Sequence, residues 1–329
     1  MRGVLLTEHG GPEVLECTEL ATPEPRPGQV LVELRTAGIN RRDALIRAGI
    51  GPGYRPQLPV ILGSDGAGIR RDTGEEVVIL PSLRWGDDDR VPGPDYALLG
   101  GGPDGGTYAE LVAVDADCLF PKPRHLAWAE AGALSLSGVT AYRALFTVGQ
   151  LRAGQTLVIL GAGSGVSLIA LQLAVKAGAR VAVTSSSRDK LNLAQELGAA
   201  AGVDYTEPDW ELRLRDEIGE ADLVLDSVGS TLQESVHLLR RGGAVLSMGG
   251  TGDSGIVTDF DIRTLYLQHK RVLGTVMGSP RDFAAFLAMV ADGDIDPVID
   301  SVYPLDEVAD AHAQLDSNLR FGKIVLTTD

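Results

Sequence analysis

Two periodicities divide this chain. The stretch 156–190 reads TLVILGAGSGVSLIALQLAVKAGARVAVTSSSRDK: an unbroken apolar run, a glycine-rich turn, a helix-period segment and a second β-branched run. Leu168, Leu171, Gln172 and Val175 recur at spacings of three and four, so one side of the predicted helix packs on a sheet. The apolar run suits a strand buried on both faces of a parallel sheet, which makes the stretch a βαβ unit. Gly161, Gly163 and Gly165 miss the GxGxxG spacing, since the third glycine would fall at Val166. Alone, such a loop also fits an ordinary tight turn, the lesser of the two readings. Between two predicted strands it reads as a dinucleotide loop, with the backbone of Gly163, Ser164, Gly165 and Val166 facing a pyrophosphate.

The same rhythm extends downstream. Strands are expected at Leu157, Val181, Leu223 and Val245, helices at 189–199 and 232–242, and an edge strand at 271–276. The first third instead alternates apolar and polar residues. It predicts a hairpin over 3–20, a strand at 30–34, a short helix over 40–48 with Ala44, Leu45 and Ala48 on one side, and strands near Val60, Val77 and 108–114. Such closely spaced short strands suggest a rolled or barrel-like antiparallel domain. The segment 84–106 has no period and reads as a surface lobe. An amphipathic helix (Phe283, Phe286, Leu287, Val290), a helix over 305–316 and a closing strand at 321–327 look like a return to the first domain. The fold expected is α/β: a doubly wound cofactor domain at 124–273 inserted in a β-rich domain made of 1–123 and 274–329.

Length and charge narrow the function. The chain has 329 residues, 44% hydrophobic and 22% charged, which suits two globular domains. A net charge of −16 without a basic run excludes a nucleic-acid or anionic-membrane surface and favours a small-molecule ligand. Two cysteines, Cys17 and Cys118, and no apolar run of bilayer length lead to the expectation of a cytoplasmic protein.

Past the second strand of the βαβ unit, an NAD-binding fold carries an acidic residue for the ribose hydroxyls. Here Ser185 takes that place, followed by Ser186, Ser187 and Arg188. Hydroxyls with a nearby cation suit a 2′-phosphate, so NADPH is the expected cofactor. The alternative is a solvated first helical turn at 188–190. Residues just past strand ends face the ligand crevice of such a sheet, which makes Ser227, Met248 and Met277 cofactor candidates; Met277 is otherwise a gap-filling core residue.

Seven collinear segments, among them AGINRRDALIRAG, LPVILGSDGAGI, AGALSLSGVTAYRAL, DLVLDSVG and GSPRDFAAFL, resemble the medium-chain dehydrogenase/reductase superfamily, most closely its zinc-independent quinone oxidoreductase branch. The resemblance implies a Rossmann cofactor domain inserted in a GroES-like catalytic domain, and a homodimer formed through the edge strand. It places the family's AxxGxxG signature on Gly161, Ser164 and Ser167, and its 2′-phosphate pair on Lys190 and Tyr205. The zinc alcohol dehydrogenases' Cys, His–Glu and Cys correspond here to Asn40, Ser64 with Asp65, and Leu136. The structural-zinc lobe corresponds to 81–106, which has no cysteine, so no metal is expected. Asn40 becomes the leading catalytic residue, with an amide to hold a carbonyl oxygen or the nicotinamide. Asp43 orders that segment, or merely complements the helix dipole. Thr140 sits beside the nicotinamide, or packs its helix; Tyr54 lines the substrate entrance, or anchors its loop. Arg41 and Arg42 are expected to be exposed.

The function expected is NADPH-dependent reduction of a quinone or an activated alkene. Two rivals remain: an alcohol or aldehyde dehydrogenase without zinc that uses Asn40, Ser64 and Asp65, and a catalytically silent NADPH-sensing protein.

Overall fold

The computed structural model describes residues 1–51, 54–250, 257, 260–317 and 319–328. The chain divides into two compact units, Met1–Ser137 with Ser279–Asp329, and Gly138–Gly278.

In the first unit, β1 (Arg2–Leu6) pairs antiparallel with β2 (Cys17–Glu19), Arg2 opposite Glu19, as the alternation at 3–20 requires. The long strand β3 (Gln29–Gly38) leads into helix α1 (Arg41–Ala48). There follow β4 (Val60–Ile61), β5 (Ala67–Arg70), β6 (Glu76–Ile79), β7 (Ser82–Leu83), β8 (Ala97–Leu98), β9 (Leu111–Asp115), β10 (Leu119–Pro121) and α2 (Trp128–Gly132). Three expectations change. Helix α1 buries Asp43, Ala44, Ile46 and Arg47 rather than Ala44, Leu45 and Ala48, because polar partners lie on its inner side. The segment 84–106 is not merely a surface lobe: Trp85 and Leu99 are buried, and the Trp85 ring meets Tyr96 edge-on at 5.5 Å. The unit also extends past residue 123, because α2 lies close on β3: Thr36 Oγ1 donates to the Trp128 carbonyl at 2.7 Å.

Helix α3 (Ser135–Tyr142) crosses into the second unit, which alternates strand and helix: β11 (Thr156–Ile159), α4 (Gly165–Lys176), β12 (Arg180–Ser185), α5 (Arg188–Glu196), β13 (Ala201–Asp204), α6 (Trp210–Ile218), β14 (Ala221–Asp226), α7 (Leu232–Leu238), β15 (Leu239–Ser247), α8 (Arg263–Tyr266) and β16 (Arg271–Gly274). The six strands are parallel, in the order β13-β12-β11-β14-β15-β16. That is a doubly wound sheet with β11 at its switch point. Helix α4 is buried over more than one face, including Ile169, Ala170 and Leu173, while Gln172 and Val175 are only half-buried. The helix expected over 232–242 ends at Leu238, where Leu239 pairs with Ala221 and starts β15. Strand β13 went unanticipated, since its sequence AGVD offers little apolar signal.

The chain returns to the first unit through α9 (Pro280–Val290), β17 (Ile299–Pro304), α10 (Val308–Ser317) and β18 (Lys323–Thr327). In its main sheet β3 is central, with antiparallel β5 on one side and antiparallel β18 on the other. Leu6, Ile39, Ile46, Leu62, Tyr108 and Leu326 form part of the core below. Among the described residues no helix is long and apolar enough to cross a membrane.

Candidate active site

Sheet register assembles the first cluster. Strand β18 pairs with β3 as Val325 with Gly38, and the Ile39 N–H donates to the Ile324 carbonyl. Continued by two residues, this register sets Lys323 opposite Asn40. On the other side of β3, the Gly38 N–H donates to the Asp65 carbonyl. Three segments far apart in sequence thereby bring Asn40, Asp65 and Lys323 together, all buried. Lys323 Nζ donates to Asn40 Oδ1 at 2.6 Å and to Asp65 Oδ2 at 2.8 Å. Asn40 Nδ2 donates to Asp65 Oδ2 at 3.1 Å and to the Gly38 carbonyl at 3.3 Å, and the Leu136 N–H donates to Asp65 Oδ1 at 2.5 Å. A lysine has donors only, so it fixes which end of the Asn40 amide is oxygen. Both amide protons of Asn40 are therefore spent inside the protein, and the free donor expected there is absent.

Helix α1 carries a second chain of bonds. Asp43 Oδ2 accepts from the Asn40 N–H at 2.8 Å and from the Tyr108 hydroxyl at 3.1 Å. Tyr108 meets His312 Nε2 at 3.1 Å, Arg47 meets His312 Nδ1 at 3.0 Å, and Arg47 pairs with Asp316 at 2.6 Å. Because arginine only donates, His312 accepts at Nδ1, carries its proton on Nε2 and donates to Tyr108, which donates to Asp43. The chain has one direction and begins at a group that does not release protons, so it tethers Asp43 rather than relaying protons to it. Burial pushes the Asp43 carboxyl up, opposed by Arg42, and among the described residues Asp43 Oδ1 has no hydrogen-bond partner. Burial and neighbouring Arg47 push His312 down to about 3, so it is neutral at physiological pH.

Arg42 is not exposed, contrary to expectation. Its guanidinium donates to Ser64 Oγ at 3.1 Å and to the Leu99 and Gly100 carbonyls at 3.3 and 2.5 Å. Arg41 lies 3.6 Å from Asp316. Tyr54 is half-buried, with its ring against the core around Ile39 and Ile46.

In the second unit, Gly161 and Gly163 have φ of 80° and 118°, a region that favours glycine, and a Cβ at Gly161 would meet nothing within 4 Å. Ser164 caps α4, accepting from the Ser167 N–H at 3.1 Å and meeting Ser167 Oγ at 2.8 Å. The N–H groups of Gly165 and Val166 belong to the first helical turn, which has no intrahelical acceptors. The register sets Ser185 beside Asp204, so Ser186 and Tyr205 emerge together; the Tyr205 hydroxyl lies 3.3 Å from Ser186 Oγ. Arg188 is exposed and Lys190 stands in the first turn of α5. Ser185 is turned inward: it is buried, and its Oγ accepts from the Ser187 N–H at 3.1 Å. Ser227 and Met248 follow the paired strand ends Asp226 and Ser247. Thr140 and Met277 meet, Oγ1 to Sδ, at 3.7 Å, and Met277 is buried with a φ of 50°.

Sequence reasoning passed over several groups. Lys323 heads an apolar strand, where a lone lysine is itself a signal. Tyr108, Arg47 and His312 gave no local sign. Asp226 is buried and accepts from the Val228 and Gly229 N–H groups at 2.8 and 3.0 Å and from Ser235 Oγ at 2.8 Å, shaping the turn that carries Ser227.

A zinc ion fits this site poorly. Asn40, Ser64 and Leu136 offer an amide, a hydroxyl and an alkyl group, and both Asp65 oxygens are already engaged. Among the described residues Asp115, Asp117 and Cys118 are the one acidic or thiol cluster compact enough for a metal. Burial and the two carboxylates push the Cys118 thiol far up, away from the thiolate that would bind one.

The chain matches two family models, the alcohol dehydrogenase GroES-like domain over residues 26–124 and the zinc-binding dehydrogenase over residues 165–292. A zinc-type alcohol dehydrogenase-like protein of Schizosaccharomyces pombe is 33% identical over all of this chain and 99% of its own length. The mouse quinone oxidoreductase is 30% identical over 99% of this chain and 97% of its own. Among solved structures, an NAD-dependent alcohol dehydrogenase superposes with a TM-score of 0.93 at 35% identity over the full length of both chains. A crotonyl-CoA carboxylase/reductase in complex with NADP reaches 0.90 at 26% identity over 99% of this chain and 94% of its own. With its GroES-like and Rossmann units, the chain belongs to the medium-chain dehydrogenase/reductase superfamily, in the quinone oxidoreductase-like branch, and is an oxidoreductase.

Proposed function

We propose that the protein is a zinc-independent, NADPH-dependent reductase that transfers hydride to a quinone or an α,β-unsaturated carbonyl. The observation that carries this reading is the engagement of Asn40 and Asp65 with Lys323, where a metal would need free donors. Without a Lewis acid, acceptors that demand little polarisation are favoured over simple alcohols and aldehydes.

A reduced nicotinamide, when bound, supplies the hydride. The turn at Gly161 and Gly163 and the amides of Gly165 and Val166 would take its pyrophosphate, with Ser164 holding the helix end open. Ser186, Lys190 and Tyr205, helped by Arg188, would take a 2′-phosphate. Strand β12 itself ends in Ser185, with Ser186 next, hydroxyls in place of the acidic residue that would bond a ribose 2′-hydroxyl. Thr140, Ser227, Met248 and Met277 would line the nicotinamide side of the crevice, with Ser185 acting through the turn it braces. A homodimer through the edge of β16 is part of the reading, supported by exposed Val272, Tyr266 and Leu267 on that part of the unit.

The test is oxidation of NADPH by purified protein against quinones, enones, enoyl thioesters and aldehydes, with NADH and chelator controls. Turnover of a quinone or enone that survives chelation, with NADPH preferred, is expected. Loss on chelation with recovery on adding Zn²⁺ overturns the metal part, and NADPH binding without turnover favours the silent sensor.

A further inference from the structure

Lys323 is 4% exposed, and an ammonium carries three N–H donors. Among the described residues, Asn40 Oδ1 and Asp65 Oδ2 take two of them. Its third proton is a charged donor at a buried site, and such a donor calls for an acceptor. The ammonium cannot swing away to find one. Asp65 is held at both oxygens, by the Leu136 N–H at 2.5 Å and by Lys323 itself, and Asn40 is locked by its bonds to Gly38 and Asp65. Among the described residues, the one uncommitted donor of the cluster is therefore the lysine's, fixed beside Asn40, whose amide is expected from sequence to hold a carbonyl oxygen or the nicotinamide.

We propose that Lys323 is a catalytic residue whose remaining N–H binds the carbonyl oxygen of the substrate. The inference rests on the reductase reading. As the cofactor's C4–H bond breaks and a C–H bond forms at the β-carbon, the alkene's electron pair moves onto the carbonyl oxygen; the cofactor is oxidised and the alkene reduced. The ammonium stabilises that charge without giving up its proton, and water supplies the proton to the α-carbon. A preorganised charged donor in a dry site acts on the transition state more than on the ground state. Asn40 and Asp65 then serve as positioning residues.

The experiment compares wild type with Lys323→Met and Lys323→Arg, using a simple cyclic enone and 1,4-benzoquinone, an acceptor that needs less polarisation. Melting temperature and NADPH affinity by fluorescence titration are measured alongside kcat/KM. We expect Lys323→Met to lower kcat/KM for the enone by about 10² to 10³ and for the quinone by about tenfold or less, with NADPH affinity little changed. Lys323→Arg recovers part of the enone rate. If Lys323→Met does not fold, the double variant Lys323→Met/Asp65→Asn, which leaves no unpaired charge, replaces it. Equal losses on both acceptors, or a loss confined to NADPH affinity, overturn the assignment and leave a structural or cofactor-binding lysine. A wild type that turns over neither acceptor overturns the reductase reading itself, and the assignment with it.

Discussion

In the unit that holds Asn40, the residues Asp43, Asp65, Tyr108, His312 and Lys323 are all buried, and their bonds join through Asn40. In the unit that holds Gly161, the candidate groups are open backbone and exposed side chains: Ser186, Arg188 and Tyr205 face solvent, and among the described residues nothing lies within 4 Å of a Cβ placed at Gly161. The two arrangements answer different demands. Charge buried in a core destabilises the fold unless it finds partners, so each member of the first set is held by at least one other. Groups left in water cost little until a ligand arrives, and they contribute affinity instead. Substitutions in the first unit should therefore register in stability, and those in the second in cofactor binding with stability unchanged.

The largest effect is expected at Asp65. Asp65→Ala leaves the Lys323 ammonium buried without the carboxylate it is bonded to, and removing one partner of a buried pair costs about 3–5 kcal/mol. Urea denaturation reads this as a lower midpoint at unchanged slope. A loss below about 1 kcal/mol would match a surface pair and break the contrast between the units.

His312 provides a pH signature of the same burial. Its folded value is pushed down to about 3 from an ordinary 6.5, so below pH 6.5 the unfolded chain binds a proton that the folded chain refuses. Stability attributable to this residue is whole above pH 6.5 and falls by up to about 1.4 kcal/mol per pH unit towards pH 3. Asp43 acts in the opposite sense, because its carboxyl is raised by burial and takes up a proton first in the folded state. Arg47, Tyr108 and Asp316 are the other groups in contact along this chain. His312→Gln should lower stability at pH 7 yet flatten its decline between pH 6.5 and 4, as measured by denaturation at several pH values. An unchanged acid slope would mean that His312 is protonated in the fold.

A smaller effect is expected in the other unit. Lys190→Gln should weaken NADPH by about tenfold, about 1.4 kcal/mol, and leave NADH affinity and the melting temperature as they were. Equal weakening of both cofactors would assign Lys190 to the helix turn rather than to the 2′-phosphate.

The same contrast decides what was legible in the sequence. The sheet around β11 showed itself because its signal is local: an apolar run, a glycine turn and a helical period within one stretch. Lys190 and Tyr205 could be paired only by resemblance; that Tyr205 emerges beside Ser186 follows from the register of two adjacent parallel strands. The buried cluster was only half visible. Asn40 and Asp65 could be singled out by resemblance, but Lys323 lies 283 and 258 residues away from them, and only the register of β18 on β3 brings it there. Arg42 misled for the same reason, since its acceptors are carbonyls of the 84–106 segment, whose fold carries no period. Ser185 misled on a finer scale, because a hydroxyl turned back to the Ser187 N–H looks in sequence like one turned outward.

The smallest effect isolates the open space at the glycine loop. Gly161 and Gly154 both have φ of 80°, and at each an added Cβ meets nothing within 4 Å. Gly161→Ala and Gly154→Ala should therefore lose similar stability, about 1–2 kcal/mol from the left-handed backbone alone. Their binding should differ. At Gly154, in the turn before β11, the methyl group meets no ligand. At Gly161 it enters the space through which a pyrophosphate would approach the turn. Weaker NADPH and NADH binding in Gly161→Ala but not in Gly154→Ala, by isothermal titration, is the expected outcome. Equal affinities in the two variants would mean that the cofactor does not approach the Gly161 backbone, and the loop would then be a tight turn.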